Sequence, residues 1–377
     1  MMLSLFTFFL VLLLAFANGT NDVSKSIATL VGSGVSHYSR AIAWGTTWTV
    51  AGAGLSAFVA TSMVKTFSTG FLPPDITIQS SLALSVLSGS IAWVLFASRT
   101  GLPVSTTHAL TGSLIGTGLL AYGPERLIWS GLVSKIALPL LLSPFLALMV
   151  ALLLYPSVRF VAARWEGSCI CLVPTYRALI TINAQGGTKT LYQASGVGPP
   201  IAAVPAHCAR NGLAGVAIGL DSRHWLSSGL TALARGANDT PKIAAMLLLG
   251  GMAGSWPSSS IQLATFGGAT LAMGIGSYWG GRRVTEVLAE KVTTMTHVEG
   301  LAANLTTSSL VLTSASLGLP VSTTHLSSSA IVGIGLLHGW KTVRWRTVRD
   351  MALAWIVTLP ASGLFAATAY LFYEWIR

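Results

Sequence analysis

The octapeptide Gly-Leu-Pro-Val-Ser-Thr-Thr-His occurs twice, at Gly101–His108 and at Gly318–His325. Pro103 and Pro320 suit the first turn of a helix, where no backbone N–H is needed. Ser105, Thr106 and Thr107, with Ser322, Thr323 and Thr324, then place hydroxyls beside amides that a helical ladder leaves unpaired. Such a cluster suits a tetrahedral oxyanion, which has many acceptor lone pairs. The same groups suffice for ordinary N-capping, and one arrangement can do both. His108 and His325 close the motif, either as hydrogen-bonded structural residues or as a proton relay.

A second motif carries charge. Gly19-Thr20-Asn21-Asp22-x-x-Lys25 returns as Gly236-Ala237-Asn238-Asp239-x-x-Lys242. Glycine and asparagine disfavour helix interiors, and a carboxylate in hydrocarbon is costly. A helix broken at Asn18–Asp22, and again at Arg235–Asp239, would free backbone groups that are tolerable only around a buried cavity. The alternative is a kinked helix with an internally paired Asp. Each Lys follows its Asp by three residues, on the same helical face. Arg235 stands at the position equivalent to Asn18; it would either clamp an anion bidentately or extend to the cytoplasmic face.

Both motifs recur at one offset, 217 residues, so the chain contains a duplicated unit. Polar motifs embedded in apolar sequence in both halves imply a membrane transporter with its site between the repeats. Composition agrees: 52% of residues are hydrophobic and 9% charged, against about 25% charged in a soluble domain. The 39 glycines among 377 residues suit close helix–helix approach in a bilayer. The formal net charge of +11 does not point to nucleic acid, because the basic residues lie in span-flanking loops rather than on one helical face. Cys169, Cys171 and Cys208 lack the second pair or neighbouring histidines of a zinc site and read as free thiols. No cofactor is expected. Met1–Ala17 is apolar with no Lys or Arg ahead of its apolar core, which suits a first span better than a cleaved signal.

Spans need roughly 20 apolar residues. The first repeat offers windows at 2–33, 40–62, 80–98, 103–122 and 129–155; the offset places the others at 219–250, 257–279, 297–315, 320–339 and 346–372. The expected fold is all-α and polytopic, with two inverted-topology repeats of about five membrane elements each, ten to twelve segments in all, and broken or re-entrant helices at mid-membrane. Residues 1–155 form the first repeat and 218–377 the second, inverted one. Between them, 156–217 form a cytoplasmic linker with room for an added helix. With the N-terminus outside, fourteen Lys and Arg residues fall in inner loops and three, Lys65, Arg126 and Arg377, outside. That satisfies the positive-inside rule and makes both termini of this cell-membrane protein extracytoplasmic.

The paired Gly-x-Asn-Asp and Gly-Leu-Pro-Val-Ser-Thr-Thr-His motifs resemble those of the inorganic phosphate transporter (PiT) family, across nearly the whole chain outside the linker. The resemblance implies an inverted-repeat transporter, often a homodimer, that moves phosphate with sodium or protons. It further implies phosphate binding at Ser105–Thr107 and Ser322–Thr324 and at Asn21 and Asn238, with Asp22 and Asp239 helping to hold coupling cations, sodium among them. One departure stands out: the family pattern commonly reads Gly-Ala-Asn-Asp-x-x-Asn, and here Lys25 and Lys242 replace both final asparagines. An ammonium can occupy the place of sodium beside a carboxylate, and a buried lysine can also take part in proton coupling. Alternatively, each Lys merely neutralises its Asp or snorkels to an interface.

Phosphate at neutral pH keeps a proton and sulfate does not, so a site carboxylate favours phosphate; a permease for sulfate or another tetrahedral oxyanion is the alternative. A membrane-embedded phosphate-ester enzyme would need one asymmetric constellation of nucleophile, base and orienter, whereas the polar groups here come as two similar sets.

Overall fold

The structure, a computed structural model, describes residues 2–59, 61–69, 73, 79–165, 169–182, 188–203, 214–216, 220–249 and 258–376. The first half contains α1 (Met2–Asp22), α2 (Ser24–Gly32), α3 (Tyr38–Val59), α4 (Thr61–Thr69), α5 (Ser80–Thr100), α6 (Thr106–Tyr122) and α7 (Leu138–Trp165). A π-helical turn at Leu132–Ala137 leads into α7. The second half contains α8 (Leu220–Leu249), α9 (Ser259–Trp279), α10 (Arg282–Glu290), α11 (His297–Ser316), α12 (Thr323–Leu336) and α13 (Trp345–Trp375). Continuous helical stretches at 4–32, 80–100, 129–164 and 345–375 are each long and apolar enough to cross a bilayer. Leu153, Ile356, Leu364 and Phe145 point outward from α7 and α13, the arrangement lipid rewards and water penalises. The chain is a multi-pass membrane protein.

Nine of the ten expected windows coincide with helices to within a few residues, because twenty apolar residues in a row leave few alternatives; the tenth, 129–155, is overrun at its end. The short helices α4 and α10 were not expected; nine residues each are too few to register as an apolar window. The linker also differs. Where an added helix had room, β1 (Cys169–Ile182) pairs antiparallel with β2 (Thr188–Ala203) and β3 (Ala214–Val216), in the order β2-β1-β3. β-Branched and aromatic residues dominate β1 and favour the pleated form, and Pro174, which has no N–H, sits at a register shift. α7 itself runs to Trp165, ten residues past the expected end of the first repeat. Cys208 lies outside the described residues.

The two halves interleave. α1 packs on α9 and α3 on α8; α13 packs on α5 and α6, and α7 on α11 and α12. Every such pair has its repeat-related counterpart with the halves exchanged. Glycines set the closest approaches. A Cβ on Gly19 would strike the Met273 carbonyl on α9, and one on Gly236 the Thr49 carbonyl on α3. Likewise Gly276 abuts the Phe16 backbone and Gly52 the Leu233 backbone.

This explains why the helix break expected at the Asn-Asp motifs is absent. α8 passes through Arg235–Asp239 without interruption, and α1 and α2 are separated by Val23 alone, itself in the right-handed helical region. Gly19 and Gly236 let helices touch rather than letting one unwind. The breaks fall instead at the Pro-Val-Ser-Thr-Thr motifs. α5 ends at Gly101, in the left-handed region at φ 78°, and α6 starts after extended backbone at Ser105. Gly318, at φ 67°, does the same between α11 and α12.

Candidate functional site

The N-termini of α6 and α12 meet at the centre of the molecule. Thr107 Oγ1 donates to the Val321 carbonyl at 3.4 Å, and Thr324 Oγ1 to the Val104 carbonyl at 2.7 Å, each reaching into the opposite motif. Beyond that junction α6 packs on α5 and α13, and α12 on α7 and α11. Ser105 Oγ accepts from the His108 amide and Ser322 Oγ from the His325 amide, so both serines are true N-caps. The first ladder bonds are Ala109 N–H to the Ser105 carbonyl and Leu326 N–H to the Ser322 carbonyl. The amides of Thr106, Thr107, Thr323 and Thr324 therefore precede both ladders. Two helix dipoles present their positive ends to one region, a setting that favours an anion.

The charged motif packs directly against this junction. Lys25 Nζ donates to Asp22 Oδ1 at 2.5 Å, to Asn21 Oδ1 at 2.6 Å and to the Asn21 and Val104 carbonyls. Lys242 Nζ donates to Asp239 Oδ1 at 3.2 Å, to Thr107 Oγ1 at 2.9 Å and to the Val321 carbonyl at 3.2 Å. Both lysines are 1% exposed, which excludes snorkelling. Each ammonium thus sits among oxygens only, joining a carboxylate on one motif to a valine carbonyl on the other. Hard cations such as sodium are held by oxygen sets of this kind.

Asn18 Nδ2 lies within hydrogen-bond distance of Asp22 Oδ2, Asp239 Oδ2 and Thr106 Oγ1, at 3.1, 3.3 and 2.9 Å. It ties both carboxylates to one Ser-Thr-Thr run, and Thr323 Oγ1 donates to Asp22 Oδ2 at 3.4 Å from the other. Arg235 is buried and reaches neither surface of the protein. Its guanidinium donates to Thr49 Oγ1 at 2.7 Å, to Ser277 Oγ at 3.1 Å and to its repeat equivalent, Asn18 Oδ1, at 3.5 Å. Counted in their usual ionised forms, three cationic side chains, Lys25, Lys242 and Arg235, stand against two carboxylates, Asp22 and Asp239, all at most 2% exposed. One positive charge is left over where an uncompensated charge is expensive. A monovalent anion would balance it.

The halves are not identical in detail. Asn21 Nδ2 reaches Ser98 Oγ and the Leu102 carbonyl, whereas Asn238 Nδ2 reaches Asp239 Oδ1 and the Val321 carbonyl. Asn238 Oδ1 has no hydrogen-bond partner among the described residues. His108 and His325 face each other at 4.5 Å between ring centroids; His325 Nδ1 lies 3.1 Å from the Leu140 carbonyl and its ring stacks near Trp355. His108 Nδ1 and His325 Nε2 also lack partners among the described residues. The sequence marks Asn18 as the edge of an expected break and as the counterpart of Arg235, but not as a bridge between the carboxylates, and it does not single out Thr49, Ser98 or Ser277. The signal for Asn18 was present in its offset from Arg235; the hydroxyls carry none, because Ser and Thr are common in apolar helices.

The pattern of the phosphate transporter family fits residues 18–366. A protein named as a phosphate permease in Pyrococcus abyssi is 29% identical over 97% of this chain and 96% of its own length. One named as a low-affinity inorganic phosphate transporter in Rhizobium meliloti is 27% identical over 94% and 92%. A solved structure entitled the sodium-dependent phosphate transporter shares the fold, with a TM-score of 0.77 over the full length of both chains at 20% identity. These relatives are transporters rather than enzymes, and the family pattern covers nearly the whole chain: the chain belongs to the phosphate transporter family.

Proposed function

We propose that this protein is a secondary transporter of inorganic phosphate that works by alternating access around the junction of α6 and α12, and that Lys25 and Lys242 take the place of coupling sodium ions. The observation that carries the reading is the pair of buried ammonium groups, each set among carboxylate, carbonyl and side-chain oxygens. The phosphate ligands in this reading are the four leading amides and the hydroxyls of Ser105–Thr107 and Ser322–Thr324, with Asn21 and Asn238 beside them. Asp22 and Asp239 hold the lysines in place and accept a proton-bearing phosphate oxygen, which is the selection against sulfate. The surplus positive charge of the centre suits dihydrogen phosphate, so protons travel with the substrate and sodium is not needed. Inverted repeats explain why α6 and α12 meet end to end. The reading also takes the termini as extracytoplasmic, the linker as cytoplasmic and the assembly as a homodimer.

The test is uptake of radiolabelled phosphate into proteoliposomes containing only this protein, in sodium chloride and in choline chloride, with and without an inward proton gradient. Equal uptake in both salts, stimulated by the gradient and little affected by sulfate, is expected. Strong stimulation by sodium with indifference to the proton gradient would refute the replacement of the cation.

A further inference from the structure

A cavity of about 530 Å³ opens beside the junction of α1, α5 and α9, away from the buried centre. Arg99, at the end of α5, and Arg282 and Arg283, at the start of α10, line its mouth; Thr20 and Ser98 line its floor. All three arginines are exposed. Among the described residues one carboxylate is paired with them, Glu286, 3.2 Å from Arg282 Nε. Arg283 Nη1 donates to the Arg99 carbonyl, which pins α10 to the end of α5.

The floor leads to the centre. Thr20 Oγ1 and Asn21 Nδ2 both donate to Ser98 Oγ, at 3.0 and 3.3 Å, and Asn21 Oδ1 accepts from Lys25 Nζ. One layer of small polar side chains thus separates the arginine cluster from the ammonium of Lys25. Gly280 seals the layer from the other side: a Cβ there would collide with Thr20. The arrangement is one-sided. At the 217-residue offset, Thr20, Ser98 and Arg99 become Ala237, Ala315 and Ser316, and Arg282 and Arg283 become Lys65 and Thr66. The repeat-related positions carry one lysine and no guanidinium.

We propose that this cavity is a second binding site for a phosphate group, one step outside the buried centre on the arginine-rich face, and that Thr20, Ser98 and Asn21 form the partition between the two. Guanidiniums bind phosphate oxygens through paired donors, and a cleft lined by one sign of charge concentrates anions. The phosphate group is free inorganic phosphate entering or leaving the centre, or the headgroup of an anionic lipid, since the cavity lies among membrane helices. The first source rests on the transport reading above.

Phosphate saturation of transport is measured separately from each face, in right-side-out and inverted vesicles, for wild type and for Arg99→Gln/Arg282→Gln. Arg283 is left in place because it also holds α10 to α5. The half-saturating phosphate concentration should rise about tenfold from the arginine-rich face, the loss of roughly one charge-assisted contact, and stay as in wild type from the other. Arg99→Lys/Arg282→Lys should recover most of the change. Persistence of the effect in liposomes of phosphatidylcholine alone identifies free phosphate as the ligand. A wild-type rate that depends on added phosphatidylglycerol, where the Gln variant's does not, identifies the lipid headgroup. Wild-type saturation from both faces in the Gln variant, with no response to phosphatidylglycerol, overturns the site. Absence of phosphate uptake by wild type from either face would instead overturn the transport reading.

Discussion

Lys25→Asn restores the asparagine that the family pattern carries and removes a cation with four oxygen acceptors. Asp22, 1% exposed, is left without its ammonium. Removing one partner of a buried ion pair costs about 3–5 kcal/mol. Sodium at about a hundred times its dissociation constant would return about 2.7 kcal/mol by binding the folded state alone. For a chain of this length that is roughly 3–5 °C in melting temperature, scaled from smaller domains. The assay is thermal unfolding in detergent, in sodium chloride and in choline chloride at equal ionic strength. Lys25→Asn should melt several degrees higher in sodium, while the wild type, its site already filled, should melt equally in both. The variant's phosphate uptake should become sodium-dependent in the same titration. Indifference of Lys25→Asn to sodium, or an equal sodium effect on the wild type, would refute the idea that the lysine occupies a cation site.

Other perturbations test neighbouring parts of the argument. Arg235→Gln should lower phosphate uptake at least tenfold, since it removes the unbalanced positive charge; Arg235→Lys should recover only part, because one ammonium cannot span Thr49 and Ser277 as the guanidinium does. Uptake at subsaturating total phosphate should rise as pH falls through neutrality, following the monoanion; a rate that follows the dianion would contradict the charge count. Ser322→Ala should melt lower by an amount near 1 kcal/mol, the usual cost of a lost helix cap, and should also weaken phosphate binding. Gly276→Leu should abolish folded protein in size-exclusion chromatography, because α9 lies against the Phe16 backbone with no room for a side chain.

The spans were legible because apolar length admits one interpretation, and the site was legible because each chemical motif appears twice. Asp22, Lys25, Asp239, Lys242 and the two Ser-Thr-Thr runs all converge as the repeat implied. The reason for Gly19 and Gly236 was not legible: a glycine that breaks a helix and one that admits a neighbouring helix look the same in sequence, and only the packing of α9 and α3 separates them. α4 and α10 were hidden by their shortness. The strands of the linker were hidden because attention to apolar spans passes over a β-favouring run such as β1 that is interrupted by Pro174 and Arg177. Arg235 illustrates a different obstacle. Its position on the chain fitted two destinations equally, and hydroxyls on α3 and α9, one from each half, decide the outcome.

The crossed pairing of helices has a consequence for biogenesis. While only the first half has left the ribosome, α7 lacks α11 and α12, α3 lacks α8, and Asn18 and Asp22 face no arginine. The nascent N-terminal half must therefore wait in the membrane with unpartnered helix faces and a polar network that keeps Lys25 and Thr106 but lacks Arg235, Asp239 and Thr323, a natural target for insertion chaperones and quality-control proteases. Severing the chain in its linker and co-expressing the pieces should give functional protein, whereas either piece alone should be degraded.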